Sequence, residues 1–388
     1  MAGPLKIQGS PGAVIADISS TDDWSMFHHD LTHTGYSTSA GPHTNALLWS
    51  YATGSGYEGV DSSPAVVGSV VYVGSWDDNV YALSAMTGRV IWSYPTGSWV
   101  QSSPAVAGGV VYVGSSNGYV YALNAATGAP IWSYTIGGIG GVESSPAVVG
   151  GVVYVGAEDD YFDALNATTG KLVWSCALDG HVISSPAVAD GTVYVGSISG
   201  LVYTLDAATG KQIWNYTTGV NVEVSSSPGV ASGMVYVGAM DGRVYALNAA
   251  TGALVWDYTT GNYVYSSPAV AGGMVYVGSE DGRVYALDAA TGKQIWSYTT
   301  GSLVESSPAV AGGIVYVGSN DNKVYALSAA TGALIWSYTT GGYVQSSPAV
   351  AGDVVYVGSY DGKVYAFGVE GGGGGPGRIW LNSVSYCT

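Results

Sequence analysis

The sequence predicts an all-β protein, an eight-bladed β-propeller of four-stranded antiparallel blades. The first observation is composition: 388 residues include 59 Gly, 31 Tyr and 12 Trp, and only 10% are charged, whereas about 25% is usual. Residues that suit helix surfaces are therefore scarce, and residues that suit strands and tight turns are plentiful. The second observation is a repeat, because Ser-Ser-Pro recurs every 40 or 42 residues. The third is that each repeat divides into four short strands. The eight repeated prolines are Pro64, Pro104, Pro146, Pro186, Pro228, Pro268, Pro308 and Pro348.

Each repeat predicts strands A to D in order. In the unit that begins at Ser266, strand A is Ser-Pro-Ala-Val and ends at Gly272-Gly273. Strand B is Val-Tyr-Val-Gly-Ser and ends at Asp281-Gly282, a pair typical of a type I′ hairpin with two positive φ angles. Strand C is Val-Tyr-Ala-Leu, and strand D, after Ala-Thr-Gly, is Ile-Trp-Ser-Tyr.

Strands B and C are apolar at nearly every position, which indicates that both faces of each small sheet are covered. Sheets stacked face to face around an axis satisfy this pattern, and propellers are the known solution. Proline in strand A fits an edge strand whose free side lines the central channel.

The ends of the chain predict how the ring closes. The last unit stops after residues 364–367 without a Trp strand, and residues 48–54 contain the missing piece, so the N-terminal strand should complete the last blade. We expect a leader at 1–23, an N-terminal strap at 24–46, the propeller at 47–369, and a Gly-rich linker and tail at 370–388.

Residues 286–296, ALDAATGKQIW, resemble the repeat signature of the pyrroloquinoline-quinone (PQQ) propellers. The resemblance implies an eight-bladed propeller in which the tryptophan of strand D docks between neighbouring blades. These structural tryptophans would be Trp49, Trp92, Trp132, Trp174, Trp214, Trp256, Trp296 and Trp336.

The sequence departs from the quinone-dependent dehydrogenases that share this signature. Those enzymes are longer and have a vicinal cysteine pair and a calcium-binding set, whereas Cys176 and Cys387 are far apart here and no such set is visible. The chain looks more like compact scaffold propellers of the cell surface, which would place it outside the cell or in its envelope. We expect a protein that is not an enzyme and takes no cofactor, with PQQ the disfavoured alternative and Ca²⁺ left open.

The net charge of −17 excludes two classes of partner. No basic stripe is present to neutralise nucleic-acid phosphates, and an acidic protein does not dock on anionic lipid. No apolar stretch approaches the roughly 18 residues of a membrane helix. We expect a monomer that binds a protein or a glycan.

The loops between strands D and A and between strands B and C vary most among the repeats, and they should emerge on one face. The turns on the opposite face are nearly identical in most repeats. A face whose loops vary while the rest of the scaffold stays the same is typical of a binding surface. Exposed Trp and Tyr anchor protein partners and also stack on sugar rings. The candidate binding residues are Trp76, Trp99, Tyr119, Tyr161, Tyr263, Tyr265, Tyr343, Tyr360, Asp61, Glu143 and Glu305.

Two acidic or histidine-rich groups are candidate metal sites. Asp61, Glu143 and Glu305 precede Ser-Ser-Pro and should ring the channel mouth, where they form either a Ca²⁺ site or a solvated acidic funnel. A second cluster, residues 28–33, contains three histidines, His28, His29 and His33, with an aspartate between them. It is either a transition-metal site or a packed strap.

Overall fold

The computed structural model describes residues 22–54, 59–136, 140–219 and 222–369, and within these ranges the chain consists of strands and turns without a helix. None of them therefore forms a helix able to cross a membrane. The predicted linker and tail, with Cys387, and all but the last two residues of the predicted leader lie outside the described residues.

Thirty-two of the thirty-three strands in the described residues build eight four-stranded antiparallel blades, and the predicted fold is confirmed. The remaining strand, β1 (Tyr36–Ser37), precedes the blades. The A strands are β3 (Ala65–Val67), β7 (Ala105–Ala107), β11 (Ala147–Val149), β15 (Ala187–Ala189), β19 (Gly229–Ala231), β23 (Ala269–Ala271), β27 (Ala309–Ala311) and β31 (Ala349–Ala351). The B strands are β4 (Val70–Gly74), β8 (Val110–Ser115), β12 (Val152–Gly156), β16 (Thr192–Gly196), β20 (Met234–Gly238), β24 (Met274–Ser279), β28 (Ile314–Ser319) and β32 (Val354–Ser359). The C strands are β5 (Asn79–Ser84), β9 (Tyr119–Asn124), β13 (Tyr161–Asn166), β17 (Leu201–Asp206), β21 (Arg243–Asn248), β25 (Arg283–Asp288), β29 (Lys323–Ser328) and β33 (Lys363–Phe367). The D strands are β6 (Val90–Pro95), β10 (Pro130–Thr135), β14 (Leu172–Ala177), β18 (Gln212–Thr217), β22 (Leu254–Thr259), β26 (Gln294–Thr299), β30 (Leu334–Thr339) and β2 (Leu47–Ala52).

The ring closes as the chain ends predict. Strand β2 pairs antiparallel with β33, with Trp49 opposite Ala366, so the last blade takes its outer strand from the N-terminal end of the chain. Eight complete blades result, and blades β3–β6 through β27–β30 are each continuous in sequence. We number the blades 1 to 8 in the order of their A strands.

Two details of the predicted blade are wrong. The A strands begin at the residue after proline rather than at Ser-Pro, because proline has no N–H for a ladder. In the B–C hairpin only the second residue has positive φ, as at Gly282 (φ 79°), so this turn is not type I′. The Asp281 carboxylate instead accepts the N–H of Arg283 at 3.0 Å. Both residues of the A–B turn Gly272-Gly273 have positive φ.

The blades pack through apolar B and C strands, which are buried on both faces. A repeated pair holds each blade to the next: a valine of the D–A loop lies against the glycine that ends a B strand. A Cβ on Gly278 would come within 2.4 Å of Val304 Cγ1 and 2.6 Å of its carbonyl oxygen. The B-strand glycine is thus required by close approach of the neighbouring blade.

A strap of residues 22–41 follows the inner strands, so their free edges do not simply line an open channel. Its backbone carbonyls accept N–H groups from the A strands of six blades, and its short strand β1 (Tyr36–Ser37) pairs parallel with β27. The six donors are Val66, Val106, Val188, Val230, Val270 and Val310. Contacts with the A–B turns, such as Asp23 Oδ1 to the N–H of Gly68 at 2.9 Å, place the strap on the face opposite the variable loops.

Candidate functional site

The D–A loops and B–C turns form one face of the propeller, which we call the variable face. In every blade, the N–H of a B–C turn residue donates to a carbonyl of the adjoining D–A loop. In blade 1 the N–H of Trp76 donates to Gly59 O (3.1 Å), and in blade 8 the N–H of Tyr360 donates to Tyr343 O (2.8 Å). One backbone scaffold therefore presents side chains that vary among the blades.

Three positions of the repeat supply the side chains around the channel on this face. The turn position carries Trp76, Ser116, Glu158, Ile198, Met240, Glu280, Asn320 and Tyr360. The loop position carries Gly59, Trp99, Gly141, His181, Glu223, Tyr263, Leu303 and Tyr343. The position before Ser-Ser-Pro carries Asp61, Gln101, Glu143, Ile183, Ser225, Tyr265, Glu305 and Gln345. None of the three contains Lys or Arg, while all three contain carboxylates.

Four of the predicted aromatic residues come together across the seam where the ring closes. Trp76 stacks on Trp99, with ring centroids 5.0 Å apart and planes 12° apart. Tyr360 meets the Trp76 ring edge-on at 5.1 Å, and Tyr343 lies 6.2 Å from Tyr360. Trp99 and Tyr343 remain 50% and 51% exposed. We call these four residues the aromatic cluster.

The Trp76 indole Nε1 is buried and has no hydrogen-bond partner. A buried tryptophan N–H normally finds an acceptor, so this unpaired donor is an exception among the buried polar groups.

The other predicted aromatics do not join this cluster. Tyr263 and Tyr265 form a separate edge-to-face pair at 6.4 Å, and the Tyr265 hydroxyl contacts Met240 Sδ at 3.3 Å. Tyr119 stacks on Tyr121 two residues along β9, and Tyr161 is exposed at the start of β13. The candidate surface is therefore smaller than the predicted set.

Two of the predicted mouth carboxylates act on the third. Burial, followed by the charges of Glu305 and Glu143, raises the pKa of Asp61 to about 7. Burial also raises the pKa of Glu143, with a further increase from Glu158, and raises the pKa of Glu305. The mouth is thus a region of concentrated negative charge next to the aromatic cluster.

The mouth shows no complete metal cage among the described residues. No three His, Cys, Asp or Glu side chains there or elsewhere in those ranges come together as ligands. Glu305 is already engaged, because its two carboxylate oxygens accept from Asn320 Nδ2 and Gln345 Nε2, each at 2.8 Å. Ca²⁺ at this mouth stays a prediction.

The charge of the mouth also bears on PQQ, the cofactor associated with the resembling family. PQQ carries three carboxyl groups, and the mouth offers it Asp61, Glu143 and Glu305 but no Lys or Arg at the three positions described above. These residues do not fit a polyanion, so we assign no reaction step to PQQ at this mouth. That the chain takes no cofactor stays a prediction.

The histidine cluster lies in the strap and is packed against the propeller. His28 and His33 are 1% and 2% exposed, and their Nδ1 atoms lie 3.3 Å from His33 O and 3.2 Å from Pro228 O. Burial lowers the pKa of His28 to about 3 and that of His33 to about 4. His29 lies 3.5 Å from Asp22 instead, so the three imidazoles do not converge.

The eight repeated tryptophans lie between blades. Seven indole Nε1 atoms donate to a carbonyl of the next blade, as Trp296 does to Ala329 O at 2.9 Å, and Trp336 donates to Pro42 O, just after the strap, at 3.0 Å. The ring of Trp296 also covers Gly332 of the next blade, where a Cβ would come within 2.6 Å. The other six donate at 2.8–3.0 Å, from Trp49, Trp92, Trp132, Trp174, Trp214 and Trp256.

Sequence reasoning missed the role of the repeated Ser-Ser pair. The second serine of each blade accepts the N–H of its counterpart in the preceding blade, and the eight bonds form a closed circle that includes Ser347 N to Ser63 Oγ at 3.0 Å. The first serine accepts the N–H of the B-strand glycine, as Ser62 does from Gly74 at 3.0 Å. Their invariance between repeats was the available signal.

Comparison with known proteins supports the PQQ-repeat resemblance. The family described as "Beta-alanine-activating enzyme, beta-propeller" matches residues 57–272, more than half of the chain, and the family described as "Outer membrane protein assembly factor BamB" matches residues 199–373. No curated protein matches the sequence.

Solved structures show the same fold at low identity. The quinohemoprotein alcohol dehydrogenase ADHIIG from Pseudomonas putida HK5 is 18% identical with a TM-score of 0.78, covering 91% of this chain and 80% of its own. A europium-containing methanol dehydrogenase is 17% identical with a TM-score of 0.79, covering 90% and 98%. BamB from Moraxella catarrhalis is 21% identical with a TM-score of 0.71, covering 84% and 99%.

These matches contradict the prediction that the chain is not an enzyme. Dehydrogenases and the propeller of a beta-alanine-activating enzyme match alongside an assembly factor, so short length and missing motifs do not separate enzymes from scaffolds here. The physical reason is that one propeller frame supports many functions, and the frame dominates the similarity. The chain belongs to the PQQ-repeat β-propeller family.

Proposed function

We propose that this propeller binds an extended, positively charged segment of a protein partner on its variable face, at the aromatic cluster and the acidic mouth beside it. The observation that carries the proposal is the stacked Trp76–Trp99 pair, which is half exposed at Trp99. Tyr360, which meets Trp76 edge-on, lies close enough to the mouth for the charges of Asp61, Glu305 and Glu143 to raise its pKa further, after burial. Large rigid rings surrounded by polar groups are typical anchors of protein interfaces.

The chemistry of the partner follows from charge. Glu143 and Glu305 provide negative potential, to which Asp61 adds above its pKa of about 7, and the three face positions carry no Lys or Arg. A lysine or arginine side chain would therefore gain both ion pairing and cation–π attraction over Trp99. An apolar residue next to it would cover the cluster. The match to the family described as an outer membrane protein assembly factor supports a protein partner and a cell-envelope location, which we include in the proposal.

The test is an array of short peptides that vary in net charge and aromatic content, followed by fluorescence anisotropy with the peptides that bind. Trp99→Ala should weaken binding at least tenfold, because loss of a central anchor costs about 1.4 kcal/mol or more. Tyr161→Ala is the matched control, since it removes an exposed aromatic side chain outside the cluster. The proposal fails when no basic peptide binds, or when both variants bind as the wild type does.

A glycan ligand is the second candidate, favoured by the half-exposed ring of Trp99, which stacking on Trp76 holds in place. A glycan array separates the two. Binding of a neutral oligosaccharide that requires Trp99 and is indifferent to salt would replace the peptide proposal, because the acidic mouth makes basic-peptide binding weaken as salt is raised. We further propose a monomer, which sedimentation would test.

A further inference from the structure

A pair of tyrosines joins most neighbouring blades. The C-strand tyrosine of one blade packs against the D-strand tyrosine of the preceding blade, with ring centroids 5.6–6.0 Å apart. The six pairs are Tyr51–Tyr81, Tyr94–Tyr121, Tyr216–Tyr245, Tyr258–Tyr285, Tyr298–Tyr325 and Tyr338–Tyr365.

In five blades the same C-strand tyrosine also reaches a carboxylate of the B–C turn. The Tyr285 hydroxyl, for example, donates to Asp281 Oδ2 at 2.5 Å, across the four residues between turn and strand. The phenol therefore fills the space between the strand and the turn, and it satisfies the turn carboxylate. The other four pairs are Tyr81–Asp77, Tyr245–Asp241, Tyr325–Asp321 and Tyr365–Asp361.

Blade 3 departs from this arrangement, because Asp163 occupies the tyrosine position. Asp163 is only 4% exposed, and its Oδ1 is buried without a hydrogen-bond partner. It lies opposite Ser175 on β14, and across the blade interface it faces Tyr134 of blade 2. The turn carboxylate of this blade, Asp159, accepts the N–H of Tyr161 at 3.1 Å, but it has no phenol hydroxyl to receive.

The charge of Asp159 acts on the buried Asp163. Burial, with the charge of Asp159, raises the pKa of Asp163 against the opposing hydrogen bonds of Ser175 and Tyr134. Burial and then the charge of Asp163 raise the pKa of Tyr134 to about 12, and Asp159 adds to the increase. A buried, ionised carboxylate with a free oxygen near another carboxylate is unfavourable unless a proton neutralises it or a cation compensates for its charge.

We propose that the space left by the missing phenol ring in blade 3 binds one Ca²⁺ ion, with Asp163 and Asp159 as its charged ligands and the hydroxyls of Tyr134 and Ser175 as neutral ones. Two carboxylates match the charge of the ion, and all four ligands are oxygens, which Ca²⁺ prefers. Water and backbone carbonyls complete its six to eight ligands. Mg²⁺ is disfavoured because it gives up its water reluctantly. The site is independent of the variable face and of the function proposed for it.

The test compares the wild type and three variants by isothermal titration calorimetry with CaCl₂ and by thermal unfolding in Ca²⁺ or EDTA. Asp163→Asn removes one charge with little change in shape, and Asp163→Tyr restores the residue that the other seven blades carry, so it should fold. Asp281→Asn is the control, because it removes a turn carboxylate where a tyrosine already fills the space.

The wild type and Asp281→Asn should each bind one Ca²⁺ and gain several degrees in Tm, whereas both Asp163 variants should lose that binding and that shift. Mg²⁺ should give at least a tenfold weaker effect. Absence of saturable Ca²⁺ binding in the wild type overturns the proposal. The proposal is also overturned when Asp163→Tyr binds Ca²⁺ with the same stoichiometry and affinity as the wild type, since the acidic surface alone would then explain the binding.

Discussion

Mild acid should make the propeller less stable, because histidines that are buried in the folded strap take up protons more readily in the unfolded chain. His33 allows this effect to be isolated. The pKa of His33 falls from an ordinary 6.5 to about 4, because burial outweighs the charge of Asp30 and the contact with Pro228 O. The unfolded chain therefore takes up a proton that the folded chain refuses. The stability associated with a neutral His33 is complete above pH 6.5 and is lost as the pH falls towards 4.

The magnitude follows from the two pKa values. A pH of 5 lies about 1.5 units below the pKa of the unfolded imidazole, so the unfolded imidazole is protonated while the folded one is still mostly neutral. Lowering the pH from 7.5 to 5 should therefore cost about 2 kcal/mol at His33. Asp61, whose folded pKa is about 7, acts in the opposite direction, so total stability does not report on His33 alone.

The assay is urea unfolding of the wild type and of His33→Asn at pH 7.5 and pH 5. Asparagine tolerates the positive φ of this position (53°), and its amide can still donate to Pro228 O. The free energy of unfolding should fall between the two pH values by about 2 kcal/mol less in the variant, because the Asp61 contribution is common to both proteins. Equal pH dependence in wild type and His33→Asn would refute the reasoning.

Three further changes test the contacts between blades, each by urea unfolding. Trp296→Phe removes the hydrogen bond to Ala329 O and should cost about 1 kcal/mol, and Trp296→Ala about 3–5 kcal/mol; similar values for both would contradict a role for the ring. Gly278→Ala should cost about 1–3 kcal/mol or more, and adding Val304→Ala should not restore stability, because the added Cβ also meets the Val304 carbonyl. Ser227→Ala leaves a buried backbone N–H of the preceding blade unpaired and should cost about 1–3 kcal/mol, whereas an exposed Ser297→Ala should be neutral.

The sequence determined the fold because its turn residues, its strands and its apolar pattern all recur with nearly the same spacing. Ser-Ser-Pro spacing, B and C strands without polar alternation, and a missing last D strand together left one arrangement, and β2 completes blade 8 as expected. Local details did not follow as directly. The Asp281-Gly282 turn was assigned the wrong type, since the same dipeptide occurs in tight and wider turns and side-chain bonding decides between them.

The candidate site could be predicted only in part. The sequence indicated which loops vary and which aromatic residues they carry, but the contact of Trp76 with Tyr360 joins residues from the two ends of the propeller, and Trp99 completes it from the next loop. Such proximity depends on ring closure, which no local pattern encodes. Tyr119 and Tyr161 satisfied the same sequence criterion and lie apart from the cluster.

What the sequence by itself determined is the repeated part of this protein: eight blades, their closure, and the residues that recur in each. Only the tertiary structure decided the burial, the partners and the pKa values of the residues that depart from the repeat. Asp163 in a tyrosine position is a single-letter change in sequence, and it becomes a buried, unpartnered carboxylate because the neighbouring blade removes water from it. The strap histidines likewise acquire their lowered pKa values from the propeller packed around them. Burial and proximity belong to the assembled ring, and these two properties set the chemistry of the exceptional residues.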